Sequence, residues 1–162
     1  MQTAADYNEF RACATMIDRS KLENVILVAD RGYENYNIFA HAIEKGWKFA
    51  IRIKDKNSNG IASGLNFPPN DEFDIDITQI FSRKNTKTTK NAGYKWMPVN
   101  QVFDYLPRKS DKTYELSFEM AHYADIGIIL HREKYIRATR STSSFDLISL
   151  LVASIIGCSV MP

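Results

Sequence analysis

The run from Val25 to Asp55 constrains the fold more than any other part of the chain. It opens with a continuous apolar stretch, Val25 to Val28, which is typical of a strand buried on both faces of a sheet. Asn35 then predicts the start of a helix, and Gly46 predicts its end. Alternating apolar and polar residues from Trp47 to Lys54 predict a second, half-buried strand. This order is a β-α-β unit, which indicates an α/β fold with a mixed or parallel sheet.

Asp30 stands where the first predicted strand ends. The C-terminal ends of strands in α/β sheets are where ligands and catalytic groups collect. Two interpretations of this residue are open: a turn residue that accepts backbone hydrogen bonds, and a metal or acid–base site. Arg31 and Tyr33 are expected to shape the turn, and Gly32 to supply its backbone freedom.

The sequence around Asp30 is similar to that of bacterial insertion-sequence transposases of the DDE class. The similar segments are Ala29 to Tyr33, Tyr36-Asn37, Ala40-His41, Glu44 to Gly46, and Arg52-x-Lys54-Asp55. Shorter similar segments on both sides extend the resemblance over roughly residues 5 to 120. The resemblance implies a partial RNase H-like catalytic core with a mostly β insertion. It also implies that Asp30 is the second of three metal-binding carboxylates.

The resemblance further implies a particular chemistry. Two divalent ions about 4 Å apart clamp the attacking and leaving oxygens of a phosphodiester, and hard oxygen ligands suit Mg²⁺ or Mn²⁺. The partners of an intact relative would be transposon ends and target DNA, with a homodimer as its possible assembly. Its activity would be DNA strand cleavage and strand transfer.

Two features of the family pattern are missing from the chain. The family's first carboxylate lies on an earlier strand, whereas the residues before Asp30 predict a helix with one apolar face and Asp6 as its cap. The third carboxylate belongs to a helix of the form Tyr-x2-Arg-x3-Glu-x6-Lys, and no tyrosine here starts that pattern. Glu119 and Glu133 lie C-terminal to Asp30, as the third carboxylate of the family does, but the residues around them do not fit the helix pattern. We therefore expect a truncated fragment that binds metal weakly and is inactive alone.

Three parts are predicted along the chain: a partial catalytic core over 1–55, a β-rich insertion over 56–120, and a divergent tail over 121–162. Alternating residues in Phe73 to Thr78 and in Tyr114 to Glu119 predict strands within the insertion. The tail contains a strongly apolar segment, Phe145 to Met161. That segment is open to three interpretations: a core helix, out-of-frame or fused sequence, and a membrane anchor.

A basic stretch from Ser82 to Met97 is the main candidate for DNA contact. Such a stretch can bind the phosphate backbone and stack an aromatic ring on a base, although a solvated, mobile loop has the same composition. Arg52 and Lys54, at the end of the second predicted strand, are further candidates for phosphate contacts. The residues expected to bind DNA from the basic stretch are Arg83, Lys84, Lys87, Lys90, Lys95 and Trp96.

Two cysteines far apart in the chain, Cys13 and Cys158, do not have the spacing of a zinc site. They are consistent with a reduced, cytoplasmic protein, and no signal peptide is visible. Two alternative functions stay open. One is a non-catalytic DNA-binding remnant that interferes with an intact transposase. The other is a small membrane-associated protein dominated by the apolar tail segment.

Overall fold

The computed structural model describes residues 8–54, 58–68, 72–123 and 126–131. The predicted cap Asp6, the carboxylate of Glu133 and the apolar segment Phe145 to Met161 lie outside the described residues. The interpretations given to that apolar segment therefore remain predictions.

Two helices flank the first strand in the chain, and each has an asparagine as its N-cap. Helix α1 spans Glu9–Arg19, and the side chain of Asn8 accepts a hydrogen bond from the Arg11 N–H at 3.1 Å. Asn8, not Asp6, is therefore the N-cap of α1, because its side chain reaches the free N–H groups of the first turn. Helix α2 spans Tyr36–Glu44 and is capped by Asn35, as predicted. Gly46 follows with a φ of 72°, the left-handed conformation that ends many helices.

Six strands form one sheet in the order β1-β2-β6-β5-β3-β4. β1 and β2 are parallel, as the β-α-β pattern predicts; β2, β6, β5 and β3 are successively antiparallel, and β4 lies parallel to β3. The mixed α/β fold is thus confirmed. The strands are β1 (Ile26–Ala29), β2 (Lys48–Arg52), β3 (Phe73–Ser82), β4 (Lys95–Trp96), β5 (Thr113–Tyr123) and β6 (Ile126–His131), and a short helix α3 (Lys87–Asn91) precedes β4.

The main core lies between one face of this sheet and the two helices α1 and α2. Phe39 of α2 stacks on Phe49 of β2 with ring centroids 5.2 Å apart, and both rings are buried. Each large apolar side chain buried in this way contributes about 1.5–3 kcal/mol relative to its exposed state. A second, smaller cluster lies on the opposite face of the sheet and consists of Ala50, Ala121, Ile128 and Leu130. The β-α-β unit and the strands of the predicted insertion therefore share one sheet, although the three-part division itself remains a prediction.

Strand β1 corrects one sequence prediction. Its apolar run indicated burial on both faces, but the Ile26 and Val28 side chains are 52% and 44% exposed. Leu27 and Ala29 pack against the main core, and alternation along the strand turns Ile26 and Val28 to the opposite face. Among the described strands β1 lies at the edge of the sheet, so within that part these two side chains have a sheet neighbour on one side alone.

A buried histidine ties α1, α2 and the segment before β5 together. In the ring of His41 in α2, Nδ1 lies 2.7 Å from Oδ1 of Asp18 in α1, and Nε2 lies 2.9 Å from Oδ2 of Asp104. Asn37 donates a further hydrogen bond to Asp104 at 2.9 Å. Asp18 takes part in this network although its side chain is half exposed.

Acid should weaken this network through Asp104. Burial alone raises the pKa of Asp104, but hydrogen bonds from Asn37 and His41 and the charge of His41 outweigh it, so the pKa is lowered. A carboxylate with a depressed folded-state pKa stabilises the fold above its unfolded pKa, and that stabilisation is lost as the pH falls through the folded value. Asp104→Asn should therefore lower the free energy of unfolding at pH 7, and its difference from wild type should shrink below about pH 4.

Urea unfolding at pH 7 and pH 3 measures this difference. Asp111→Asn is the matched control, because the Asp111 side chain is 79% exposed and forms a surface ion pair with Lys84. The control should change stability little at either pH. An Asp104→Asn effect of equal size at both pH values would contradict the expected linkage.

Candidate functional site

Asp30 lies directly after β1, at the start of a 3-10 turn that spans Arg31–Tyr33. Its Oδ1 accepts a hydrogen bond from the Arg31 N–H at 2.7 Å, and its side chain is exposed. The second carboxylate oxygen has no hydrogen-bond partner among the described residues. An exposed carboxylate with one free hard oxygen is a chemically suitable single ligand for Mg²⁺ or Mn²⁺.

The predicted turn-shaping residues hold the Asp30 turn in different ways. The Tyr33 hydroxyl donates a hydrogen bond to Glu9 of α1 at 2.6 Å, which fastens the turn to the helix. Gly32 does not have a positive φ, and a Cβ at this position would meet no atom within 4 Å. The backbone freedom expected of Gly32 is therefore not required by this turn.

Glu34 connects the Asp30 turn to the loop that follows β2. Its Oε2 accepts a hydrogen bond from the Lys54 N–H at 2.9 Å, and its Oε1 accepts one from the Ile61 N–H. A Cβ at Gly60 would lie 2.7 Å from the Glu34 Oε1 and 2.9 Å from the Lys54 Cβ, so a larger residue here would force the carboxylate or the loop to shift. Glu34 was not among the residues predicted from the sequence, because an acidic residue after a turn carries no signal of such distant partners.

The structure brings two sequence predictions together at the C-terminal ends of β1 and β2. Arg52 is the last residue of β2 and is partly buried, whereas Lys54 is exposed. Both side chains, together with Arg31, line one cavity next to the Asp30 turn. The predicted metal ligand and the predicted strand-end cations therefore belong to a single region.

Arg83 is placed inside the protein, not on its surface. The side chain is buried, and its guanidinium group donates hydrogen bonds to backbone carbonyls of the segment 97–106. The acceptors are the carbonyl oxygens of Leu106, Met97, Pro98, Gln101 and Phe103. All three guanidinium nitrogens are thus engaged, so this arginine has no free edge for a phosphate and we leave it out of the proposed DNA-binding set.

The other basic residues of this stretch divide between the interior and the surface. Lys95 is partly buried, with its Nζ 5.2 Å from the centre of the Tyr36 ring, and burial lowers its pKa. Lys87 and Lys90 are exposed on α3, and Trp96 is 48% exposed. Lys84 is exposed but forms an ion pair with Asp111 at 2.8 Å. Of the residues expected to bind DNA, the exposed ones in this stretch are accordingly Lys84, Lys87, Lys90 and Trp96.

The remaining metal ligands are not assembled in the described part of the chain. Within residues 8–54, 58–68, 72–123 and 126–131, no group of three His, Cys, Asp or Glu side chains is arranged to hold a metal ion. Glu119 is buried in β5, next to Asp76 of β3 in the register. Within the described part, Asp30 therefore fits one ligand position and does not form a complete site.

Substitution of Arg83 should destabilise the fold rather than weaken DNA binding. Arg83→Ala leaves several buried carbonyl groups without a donor, so we expect a loss of about 3 kcal/mol or more in the free energy of unfolding. Lys84→Ala is the neighbouring control and should cost less than about 1 kcal/mol, since it removes a surface ion pair. Urea unfolding measures both values, and equal effects of the two substitutions would rule out the buried role of Arg83.

Comparison with known proteins assigns the family. The family model described as the transposase DDE domain matches residues 2–142. The chain therefore belongs to the transposase DDE domain family, whose RNase H-like fold agrees with the mixed α/β sheet. The match continues past residue 120, where the resemblance was expected to end, and so includes part of the predicted tail.

Searches of curated proteins and of solved structures found no match to the chain. Among the residues that the structure describes, no helix is both long enough and apolar enough to cross a membrane.

Proposed function

We propose that this chain acts in DNA transposition as part of the catalytic domain of an insertion-sequence transposase of the Asp-Arg-Gly-Tyr type. The observation that carries the proposal is the position of Asp30. In a chain that belongs to the transposase DDE domain family, an exposed aspartate follows the first strand of a parallel β-α-β unit. Strand ends of this kind are where α/β folds place their reacting groups.

The role proposed for Asp30 is that of one ligand to a catalytic Mg²⁺ or Mn²⁺ ion. Such an ion would activate and stabilise the oxygens of the phosphodiester that is cleaved. Asp30 supplies one carboxylate, and further ligands would have to come from DNA phosphate, from water or from residues outside the described part. We accordingly propose weak metal binding by this chain and no strand cleavage by the chain alone.

The DNA-binding surface is proposed to have two parts. The first consists of Arg52 and Lys54 at the strand ends beside Asp30, and the second of the exposed residues Lys84, Lys87, Lys90 and Trp96 around α3. Lysine charges at the surface attract the phosphate backbone without reading sequence, and an exposed indole offers a face on which a base can stack.

A second candidate function is a non-catalytic DNA-binding protein that interferes with an intact transposase. The exposed cations of α3 favour it, because they belong to the predicted insertion and need no metal to bind phosphate. DNA binding without metal-dependent cleavage fits both candidates, whereas cleavage that Asp30→Ala abolishes would contradict the proposed inactivity of the chain alone and would exclude the non-catalytic candidate. The predicted cytoplasmic location, the homodimer and the three-part division remain proposals.

Manganese provides a direct test of Asp30. Titration of Mn²⁺ into the labelled chain should broaden the amide resonances of Arg31, Gly32 and Tyr33, because a paramagnetic ion at Asp30 lies close to them. Asp30→Asn should abolish this selective broadening, since it removes the charged ligand. Glu23→Gln, at another exposed acid, is the control and should leave it unchanged. Broadening that survives in Asp30→Asn would exclude the proposed ligand.

Salt dependence provides the test of DNA binding. Affinity for a short duplex should fall with rising salt concentration, with a slope set by the number of phosphate contacts. The double substitution Lys87→Gln and Lys90→Gln should reduce that slope by about two. Lys109→Gln, at an exposed lysine outside the proposed surface, should not change it. A salt-independent affinity, or no binding at low salt, would contradict the proposed DNA contact.

A further inference from the structure

A cavity of about 180 Å³ opens at the C-terminal ends of β1 and β2. Three basic residues line its wall, namely Arg31, Arg52 and Lys54. Phe73 of β3 and His122 of β5 contribute an aromatic wall, with their rings stacked at 5.5 Å. The cavity thus combines basic groups with apolar surface, which is the composition of a site for an anionic group.

The charge around this cavity is positive on balance among the described residues. Within the part of the chain that the structure describes, none of Arg31, Arg52 and Lys54 forms a salt bridge. The nearby acid Glu34 directs its oxygens to the N–H groups of Lys54 and Ile61. Among the described residues, the charges of Arg31, Arg52 and Lys54 outnumber the neighbouring carboxylates of Asp30 and Glu34. Apolar walls lower the effective dielectric, so the attraction of an anion to this net positive charge is stronger than on an open surface.

We propose that this cavity binds one phosphate group of DNA beside the phosphodiester presented to Asp30. The inference rests on the proposed function, because DNA is the phosphate-bearing ligand which that function provides. A volume of about 180 Å³ corresponds to roughly six water molecules, which is room for one phosphate and its remaining hydration. The two guanidinium groups can each bind a phosphate through paired hydrogen bonds, and Lys54 adds a compact charge.

This assignment gives Arg31 a role beyond shaping the turn. Arg31 immediately follows Asp30, and its own N–H is already bound to that carboxylate. A phosphate held by the Arg31 side chain would therefore be fixed close to Asp30. The cavity would act as a positioning site that sets which phosphodiester faces the carboxylate.

Inorganic phosphate tests the cavity without DNA. In a titration at constant ionic strength, followed by amide chemical shifts, phosphate should move the resonances of Arg52, Lys54 and Gly127 in a saturable way. Arg52→Gln should weaken this binding by about tenfold, because it removes a charge-assisted hydrogen bond. Lys54→Gln, at an exposed position that should not disturb folding, should weaken it as well, and Lys109→Gln is the control that should not.

Duplex DNA then separates this inference from the proposed function. Arg31→Gln, Arg52→Gln and Lys54→Gln should each reduce the salt slope of DNA binding by up to about one, whereas Lys109→Gln should not. Saturable phosphate binding at the cavity without any DNA binding would support the anion site and refute the proposed function. DNA binding by wild type with no phosphate-induced shifts at the cavity, and with unchanged slopes in all three variants, would refute the cavity and leave the function standing.

Discussion

The antiparallel pairing of β2 with β6 is the interaction on which the rest of the structure depends. It runs from the Phe49–His131 pair to the Arg52–Ile128 pair and places β2 between a parallel and an antiparallel neighbour. Through it the β-α-β unit is joined to the long ladder between β3 and β5. The cavity lined by Arg52, Phe73 and Gly127 lies at this junction, so the candidate site is formed by both parts of the sheet.

Asp30 is held in place by its neighbours and not by its own burial. Tyr33 fastens the turn to α1 through Glu9, and Glu34 binds the loop that carries Lys54. The carboxylate itself stays exposed, which avoids the free-energy cost of burying a charge. A carboxylate on a fixed turn at a strand end would be preorganised for the proposed metal ion, because its geometry does not have to be restored on each binding event.

The sequence predicted those parts of the fold that are encoded in local periodicity. The β-α-β unit, the cap at Asn35 and the strands within Phe73 to Thr78 and Tyr114 to Glu119 depend on neighbouring residues, and the structure contains them. The burial of Arg83 was not predictable from its basic surroundings, because its acceptors lie 14 to 23 residues further along the chain. Likewise, the apolar residues of β1 could not reveal that Leu27 and Ala29 face the main core whereas Ile26 and Val28 are exposed.

Hydrogen exchange of the chain with and without duplex DNA tests the central claim, which is that DNA meets the protein at the ends of β1 and β2. We expect slower exchange when DNA is bound, both over 30–34 and 52–54 and in the residues around α3. The α1 segment from Glu9 to Arg19, which carries none of the proposed contacts, should be unchanged. Protection that is confined to α1, or that leaves both strand ends unaffected while DNA is bound, would contradict the account.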